Sequence, residues 1–295
     1  MRDTQMVSDH GGKRLSGRLY IVATPIGNLG DISKRSAEIL ASADLILAED
    51  TRVTLKLLNH LGLKKRLMSC HEHNEAEREH ILERANKSNL SVALVSDAGT
   101  PLVSDPGLKL VSKAIELGLD VVPIPGPSAF LLALIGSGFS VDRFVFEGFL
   151  PDRPRDAKTR MEELKDEKRT IVFYVAPHKL ERTLSALLET FGDRPACLAR
   201  ELTKIHETFI RKSLSELKRE IASSPLKGEC VLVVRGAVAP EKPPLCDVDQ
   251  KELHAYIKEK SKSGVKPSAL ASDAAKKFGM RRSEVYKLVV DFLNN

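Results

Sequence analysis

Cysteine is scarce in this chain and badly spaced for chemistry. Cys70, Cys197, Cys230 and Cys246 lie far apart and form no C-x-x-C pair, which excludes the usual zinc patterns and a disulfide framework and fits a reducing, cytoplasmic setting. Long hydrophobic runs are missing too. No stretch of about 18 apolar residues occurs, so no membrane-spanning helix is expected. The opening MRDTQMVSDHGGKRLSG lacks the apolar centre of a secretion signal. Phosphate-binding signatures are equally absent: there is no G-x-x-x-x-G-K-[ST], and Gly136-Ser137-Gly138 has no third glycine to complete a dinucleotide fingerprint. These gaps argue against a polyphosphate ligand.

What is present is a succession of short β-branched runs, each ending in a turn. The 295 residues carry 46 Lys and Arg against 40 Asp and Glu, a formal net charge of +6. That excess permits an anionic partner such as nucleic acid without demanding one. The length suits two domains and an appendage. Residues 1–17 are polar and aperiodic and read as a flexible arm in which Lys13-Arg14 is a solvated pair.

Strands are expected at Leu19–Ala23, Leu45–Ala48, Leu67–Ser69, Val92–Val95 and Val121–Ile124, alternating with helices. This alternation over residues 18–143 is the pattern of a parallel sheet with right-handed crossovers. Two of the strands end in small-residue loops, Ser96-Asp97-Ala98-Gly99-Thr100-Pro101 and Pro125-Gly126-Pro127-Ser128-Ala129. In an open α/β sheet the carboxyl edge of the strands is where ligands bind. The rim offered there consists of backbone N–H and C=O groups, the Asp97 carboxylate, and the hydroxyls of Ser96, Thr100, Ser104 and Ser128. Such a rim suits an amino-acid head and a neutral heterocycle; for either loop alone, a plain tight turn is the simpler account.

From Phe144 the texture changes. Residues 144–236 read as a second α/β domain with a mixed sheet, its strands near 144–150, 170–175, 196–200, 208–210 and 230–234. Pro151 to Asp156 is a basic, proline-rich connection expected to be exposed and mobile, with Arg153 and Arg155 free for RNA. Residues 237–246 form a proline-rich linker, and 247–295 a helical, helix–turn–helix-like module with ten Lys and Arg against seven Asp and Glu. Arg281 and Arg282 open its second helix. The module reads either as a nucleic-acid contact or as a small packing bundle.

Polar groups at the strand ends are the candidates for chemistry. Glu49 and Asp50 can accept a proton, although Asp50 equally fits the cap of a helix starting at Thr51. Glu201 and Lys204, three residues apart, serve as base and orienting cation or as a structural ion pair. Arg52, Arg200 and Lys204 are suited to phosphate. His71-Glu72-His73 has no third ligand apparent, so it is read as a loop without metal. His178 and His206 sit in turns where they can meet a substrate.

Taken together, Thr24-Pro25-Ile26-Gly27-Asn28-Leu29-Gly30-Asp31, Ala48-Glu49-Asp50-Thr51-Arg52, the loop Ser96–Pro101 with Ser104-Asp105-Pro106-Gly107, and Pro123–Ala129 resemble the tetrapyrrole-methylase superfamily. Within it they resemble the branch that methylates a cytidine ribose 2′-oxygen in 16S ribosomal RNA. Phe173-Tyr174, Pro177-His178-Lys179 and Ala199-Arg200-Glu201-Leu202-Thr203-Lys204 extend the likeness. The resemblance implies S-adenosyl-L-methionine folded in a cleft between two α/β domains, a homodimer, no membrane, and a decoding-centre cytidine of the small ribosomal subunit as target. It also implies cofactor contacts at Pro25, Asp97, Ala98, Gly99, Val103, Ser104, Ser128, Ala129, Tyr174, Leu202 and Gly236. The first loop departs from the G-P-G-D run of porphyrin-modifying members, which weakens a tetrapyrrole substrate. A small-molecule methylase and a non-catalytic RNA-binding assembly factor are the alternatives.

Overall fold

A computed structural model describes residues 17–71, 74–224, 226–238, 250–261, 265–278 and 280–294. The expected arm before residue 17, most of the 237–246 linker, Glu72, His73, Cys246 and the Gly279 turn lie outside the described residues. The contact pattern divides the chain into one unit through Ala237 and a second from Val238.

The first unit holds two sheets. In the first lobe, strands β1 (Arg18–Val22), β2 (Leu45–Ala48), β3 (Leu67–Ser69), β4 (Ser91–Val95) and β5 (Asp120–Ile124) stand in the order β3-β2-β4-β1-β5, every pairing parallel. Helices α1 (Lys34–Ser42), α2 (Thr51–His60), α3 (Glu79–Ser88) and α4 (Leu108–Glu116) supply the crossovers. Strands buried on both faces read as continuous apolar runs, and Ile46, Leu47 and Ala48 of β2 are all at zero exposure. Ser33 caps α1 by accepting the Ser36 N–H at 3.0 Å, and Asp50 caps α2 by accepting from Arg52 N.

Helix α5 (Ala129–Ser137) leaves the first sheet and packs against the second. It is apolar nearly all round, AFLLALIGS, as befits a helix that must face two layers. Ala133 and Leu134 are buried among Val172, Cys197, Ala199, Val231 and Val233, together with Ile26 of the first lobe. This shared core joins the lobes.

The second sheet runs β6 (Phe144–Phe149), β7 (Thr170–Val175), β10 (Cys230–Val234), β8 (Pro195–Arg200), β9 (Thr208–Ser213). Only β6 and β7 are parallel; the other pairings are antiparallel. Its helices are α6 (Pro154–Leu164), α7 (Leu180–Phe191) and α8 (Leu214–Ser223).

Two sequence expectations change here. Arg153 and Arg155 are not in a mobile connection: Pro154 takes the first position of α6, where its fixed φ and missing N–H cost nothing, and Arg155 follows within the helix. Helix α8 was not expected at all. A capping box, Ser213 accepting from Glu216 N while Glu216 accepts from Ser213 N, starts it directly at the end of β9 with no intervening loop.

The second unit contains α9 (Gln250–Ser261), α10 (Pro267–Lys277) and α11 (Arg282–Asn294) around Leu253, Ile257, Leu270, Val285 and Val289. Tyr256 donates to Asp273 at 2.6 Å, and the Lys277 ammonium sits 4.1 Å from the Tyr256 ring. Arg281 and Arg282 are exposed at the start of α11.

Candidate functional site

Three loops at the carboxyl edge of the first sheet are tied into one rim. Thr24 and Gly99 exchange backbone hydrogen bonds at 2.8 and 3.0 Å, the Thr24 hydroxyl donates to the Ser96 carbonyl, and the Thr100 hydroxyl donates to the Pro127 carbonyl at 3.0 Å. The rim is thus preorganised by its own backbone.

Beyond it the chain is held in rare conformations. Leu102 and Ser104 have φ of 73° and 67°, left-handed values that side-chain-bearing residues seldom adopt. Strain of this kind persists where surrounding structure imposes it and gathers at functional sites. Gly148 shows how it is imposed: it sits at a bulge in β6 with φ of 63°, and a Cβ there would come within 2.9 Å of the Ser104 hydroxyl. Only glycine lets the second lobe approach this loop so closely.

Between the lobes lies a cavity of about 370 Å³. Ala98, Gly99, Val103, Ser104, Ser128, Ala129 and Tyr174, all expected from the sequence, line it. Tyr174 meets Phe146 edge-on at 5.1 Å and Phe149 at 5.4 Å between ring centres, and burial raises its pKa.

The other expected cofactor residues are placed differently. Asp97 faces the neighbouring strand end: its carboxylate accepts the Asp50 N–H at 2.9 Å, and its own N–H donates to Glu49. Pro25 is not among the lining residues, and Leu202 is buried in the shared core beside Ile26. Gly236 is a correction. It lies past the far end of β10, where a Cβ would overlap the Lys168 backbone. Because β10 runs antiparallel to β7, the end of β10 that reaches the cavity is its beginning, Cys230 and Val231 with Glu229 before them. An antiparallel second sheet was foreseen, but strand direction within it was not readable from composition.

Besides Glu229, Cys230 and Val231, the lining includes a carboxylate that sequence reasoning missed, Asp105. Burial pushes its carboxyl up to about 6, Glu49 and Asp97 add repulsion, and the Ser96 hydroxyl works in the opposite direction. Burial likewise raises Asp97. Asp105 is therefore a lining carboxyl whose charged neighbours, Glu49 and Asp97, have its own sign. Its signal in the sequence was the Asp105-Pro106-Gly107 turn, which reads as helix punctuation.

A second, open cleft of about 550 Å³ adjoins the first, with Gly27, Asn28 and Leu29 on one side and Thr203 to His206 on the other. Glu201 and Thr203 also have left-handed φ, 51° and 65°. Lys204 is held at 3.0 Å from Glu201 and 3.1 Å from Glu229. Burial works against its charge, yet the two carboxylates outweigh it and raise its pKa; the Glu229 N–H and Lys204 lower that of Glu201. Glu229 lines the cavity and pairs with Lys204, which lines the second cleft.

Asp50 and Arg52 pair with each other, Nη2 to Oδ2 at 2.6 Å, so Asp50 is a helix cap held well below the usual carboxylate range. Arg200 donates through Nε to the Lys227 carbonyl. Among the described residues no group of three or more His, Cys, Asp or Glu could hold a metal ion.

The matched family model is that of the Tetrapyrrole (Corrin/Porphyrin) Methylases, over residues 18–218. Similar proteins include Ribosomal RNA small subunit methyltransferase I of Pseudomonas aeruginosa, 46% identical over 77% of this chain and 81% of the relative. The protein of that name from Xylella fastidiosa is 44% identical over 92% and 98%. Among solved structures, uroporphyrin-III-C-methyltransferase from Thermus thermophilus superposes with a TM-score of 0.53 at 19% identity, over 74% of this chain and 94% of that one. A diphthine synthase reaches 0.56 at 20%, over 74% and 90%; at such identities the likeness is one of fold. With the two-lobed architecture, the interlobe cavity and these matches agreeing, the chain belongs to the tetrapyrrole methylase family.

Proposed function

We propose that this chain methylates the ribose 2′-oxygen of a decoding-centre cytidine in small-subunit ribosomal RNA, using S-adenosyl-L-methionine. Methyltransfer to ribosomal RNA is the activity named for its relatives. The cavity is the observation that carries the cofactor. Its backbone edges and hydroxyls suit an adenosine and an amino-acid head, and its acidic wall around Asp105 suits a cation. Neither wall offers a cradle for polyphosphate. Bound there, S-adenosyl-L-methionine supplies an electrophilic methyl on a positively charged sulfur.

The residues divide the work. Ala98, Gly99, Ser128 and Ala129 hold the cofactor against the first-lobe rim, and Tyr174 closes the second-lobe side. Lys204, braced by two carboxylates, orients the ribose or its phosphate from the adjoining cleft. With the cofactor bound, Glu229 would accept the proton that the ribose 2′-hydroxyl gives up. Glu229 lines the cavity and bonds Lys204 through Oε2 alone, whereas Glu201 bonds both Lys204 and the Glu229 N–H and is absent from the cavity lining. Positioning supplies much of the acceleration and the base contributes about 10²–10⁴-fold.

Arg52, Arg153, Arg155, Arg200, Arg281 and Arg282 remain candidates for the RNA backbone. The homodimer has support in α5, where Leu131 and Ile135, four residues apart, expose an apolar stripe. A cytoplasmic location fits Cys70, Cys197 and Cys230, all free and buried, and among the described residues no helix is long and apolar enough to cross a membrane.

The test is transfer of labelled methyl to small subunits purified from cells lacking this protein, with Glu229→Gln and wild type compared. Label on a ribose 2′-oxygen with wild type, and a loss of at least about 10²-fold with the variant, is expected. Cofactor binding without labelled RNA would overturn the substrate assignment and favour a small-molecule acceptor.

A further inference from the structure

A second groove, of about 200 Å³, opens in the second lobe between the end of β6, α6 and α7. It shares four residues with the interlobe cavity, Phe149, Tyr174, Val175 and Ala176, so the two spaces meet at an aromatic wall. The groove floor is apolar, formed by Leu150, Pro151, Pro154 and Met161. Phe149 stands at the junction with 58% of its surface exposed, an unusual position for a large apolar ring next to a cavity.

The rim is cationic. Lys158, Lys179 and Arg182 line it against a single lining carboxylate, Glu189, and Arg153 and Arg155 are exposed on the same helix start. Lys179 pairs with Asp152, and Arg182 donates weakly to the Asp152 carbonyl at 3.4 Å. Lys158 is exposed and forms no ion pair with another of the described residues. An exposed ring with a basic rim is the combination by which proteins hold unpaired nucleotides: bases stack on the ring, and lysine and arginine follow the phosphates.

We propose that this groove binds the single-stranded RNA nucleotide adjacent to the target, its base stacked on Phe149 and its phosphates along Lys158 and Arg182. The assignment rests on the reading of the chain as an RNA methyltransferase and adds where the RNA lies. Charge separates this track from the cofactor: the charged residues lining the cavity are the carboxylates Asp105 and Glu229, whereas Lys158, Lys179 and Arg182 make the groove attractive to phosphate.

The test measures binding of a small-subunit RNA fragment and of S-adenosyl-L-methionine by the full chain and by its Lys158→Glu/Arg182→Glu double variant. Neither residue lines the cofactor cavity. Cofactor affinity should be unchanged, RNA binding weaker by about tenfold or more, and the slope of log affinity against log salt shallower by about 2, one for each lost phosphate contact. Ultraviolet cross-linking of bound RNA to wild type should yield a nucleotide adduct on the peptide containing Phe149. If wild type binds RNA and the double variant binds it equally with the same salt slope, the groove is not the track. An adduct mapped only to peptides elsewhere overturns it as well. If wild type itself binds cofactor but no RNA, the methyltransferase reading for RNA fails and the groove assignment with it.

Discussion

Asp105→Asn tests the electrostatic reading of the cavity most directly. The Asp105 carboxyl titrates near 6 in the folded chain against 3.8 for an ordinary aspartate, chiefly because it is buried and then because Glu49 and Asp97 repel its charge. The folded chain therefore binds this proton more tightly than the unfolded chain. The resulting stability is fully present below pH 3.8 and is lost as the pH rises through about 6. At pH 8 an ionised Asp105 costs about 3 kcal/mol if the whole difference is realised, and about 1–2 kcal/mol once screening at a cavity open to solvent is allowed for. The asparagine keeps the shape and removes the charge. The cofactor-free variant should unfold at higher urea than wild type at pH 8 by that amount, and should match wild type at pH 3.5, followed by far-ultraviolet circular dichroism, since the chain has no tryptophan. The same variant should bind S-adenosyl-L-methionine about tenfold more weakly at pH 8, because a cationic ligand loses its countercharge. A variant less stable than wild type at pH 8, or one that binds the cofactor equally well, would refute the argument.

Two further outcomes follow from single contacts. Gly27→Val places a side chain where the Lys204 side chain now lies; the lysine must leave Glu201 and Glu229, and kcat should fall on the order of 10²-fold with cofactor affinity unchanged in calorimetry, whereas an unaltered kcat would leave Lys204 a structural ion-pair partner. Ile135→Asp charges a residue that is 61% exposed on α5; wild type should elute as a dimer and the variant as a monomer of unchanged circular dichroism, and a dimeric variant would move the interface elsewhere.

The first lobe was legible because its physics is local. Strands β1 to β5 are short apolar runs ended by Gly, Pro and Asp, and the loops at their carboxyl edge follow from topology once the parallel order is accepted. Hence Ala98, Gly99, Ser104, Ser128 and Ala129 are legible as residues of the edge that lines the cavity. The second lobe was less legible because antiparallel direction is set by tertiary pairing. The sequence pattern does not say which end of β10 faces the cavity; Gly236 lies at the opposite end from Glu229, Cys230 and Val231, which line it. Helix α8 was hidden by continuity with β9: the change of period falls within Ser213–Glu216, where two reciprocal hydrogen bonds replace the Gly or Pro that usually marks an element boundary. Asp105 was missed for a different reason. Its role comes from burial and from carboxylates 8 and 56 positions away in the chain, Asp97 and Glu49, and no spacing rule reports a distance that only folding creates.

The cavity and the groove differ in sign, carboxylates Asp105 and Glu229 in the one and Lys158, Lys179 and Arg182 on the other, and this suits a reaction that must bring a cation and a polyanion to the same point without exchanging them. On the proposed assignments, a carboxylate-lined cavity would attract the sulfonium cofactor and reject phosphate, and the basic groove would do the reverse. Lys204 is held between Glu201 and Glu229 at 3.0 and 3.1 Å, one cation against two carboxylates. The sign of the cavity lining also bears on turnover. Once the methyl has moved, the cofactor's sulfur is neutral and one attraction to Asp105 is gone. Release of the spent cofactor should accordingly be faster from wild type than release of the charged form, and this discrimination should shrink in Asp105→Asn, because the carboxylate is what distinguishes the two.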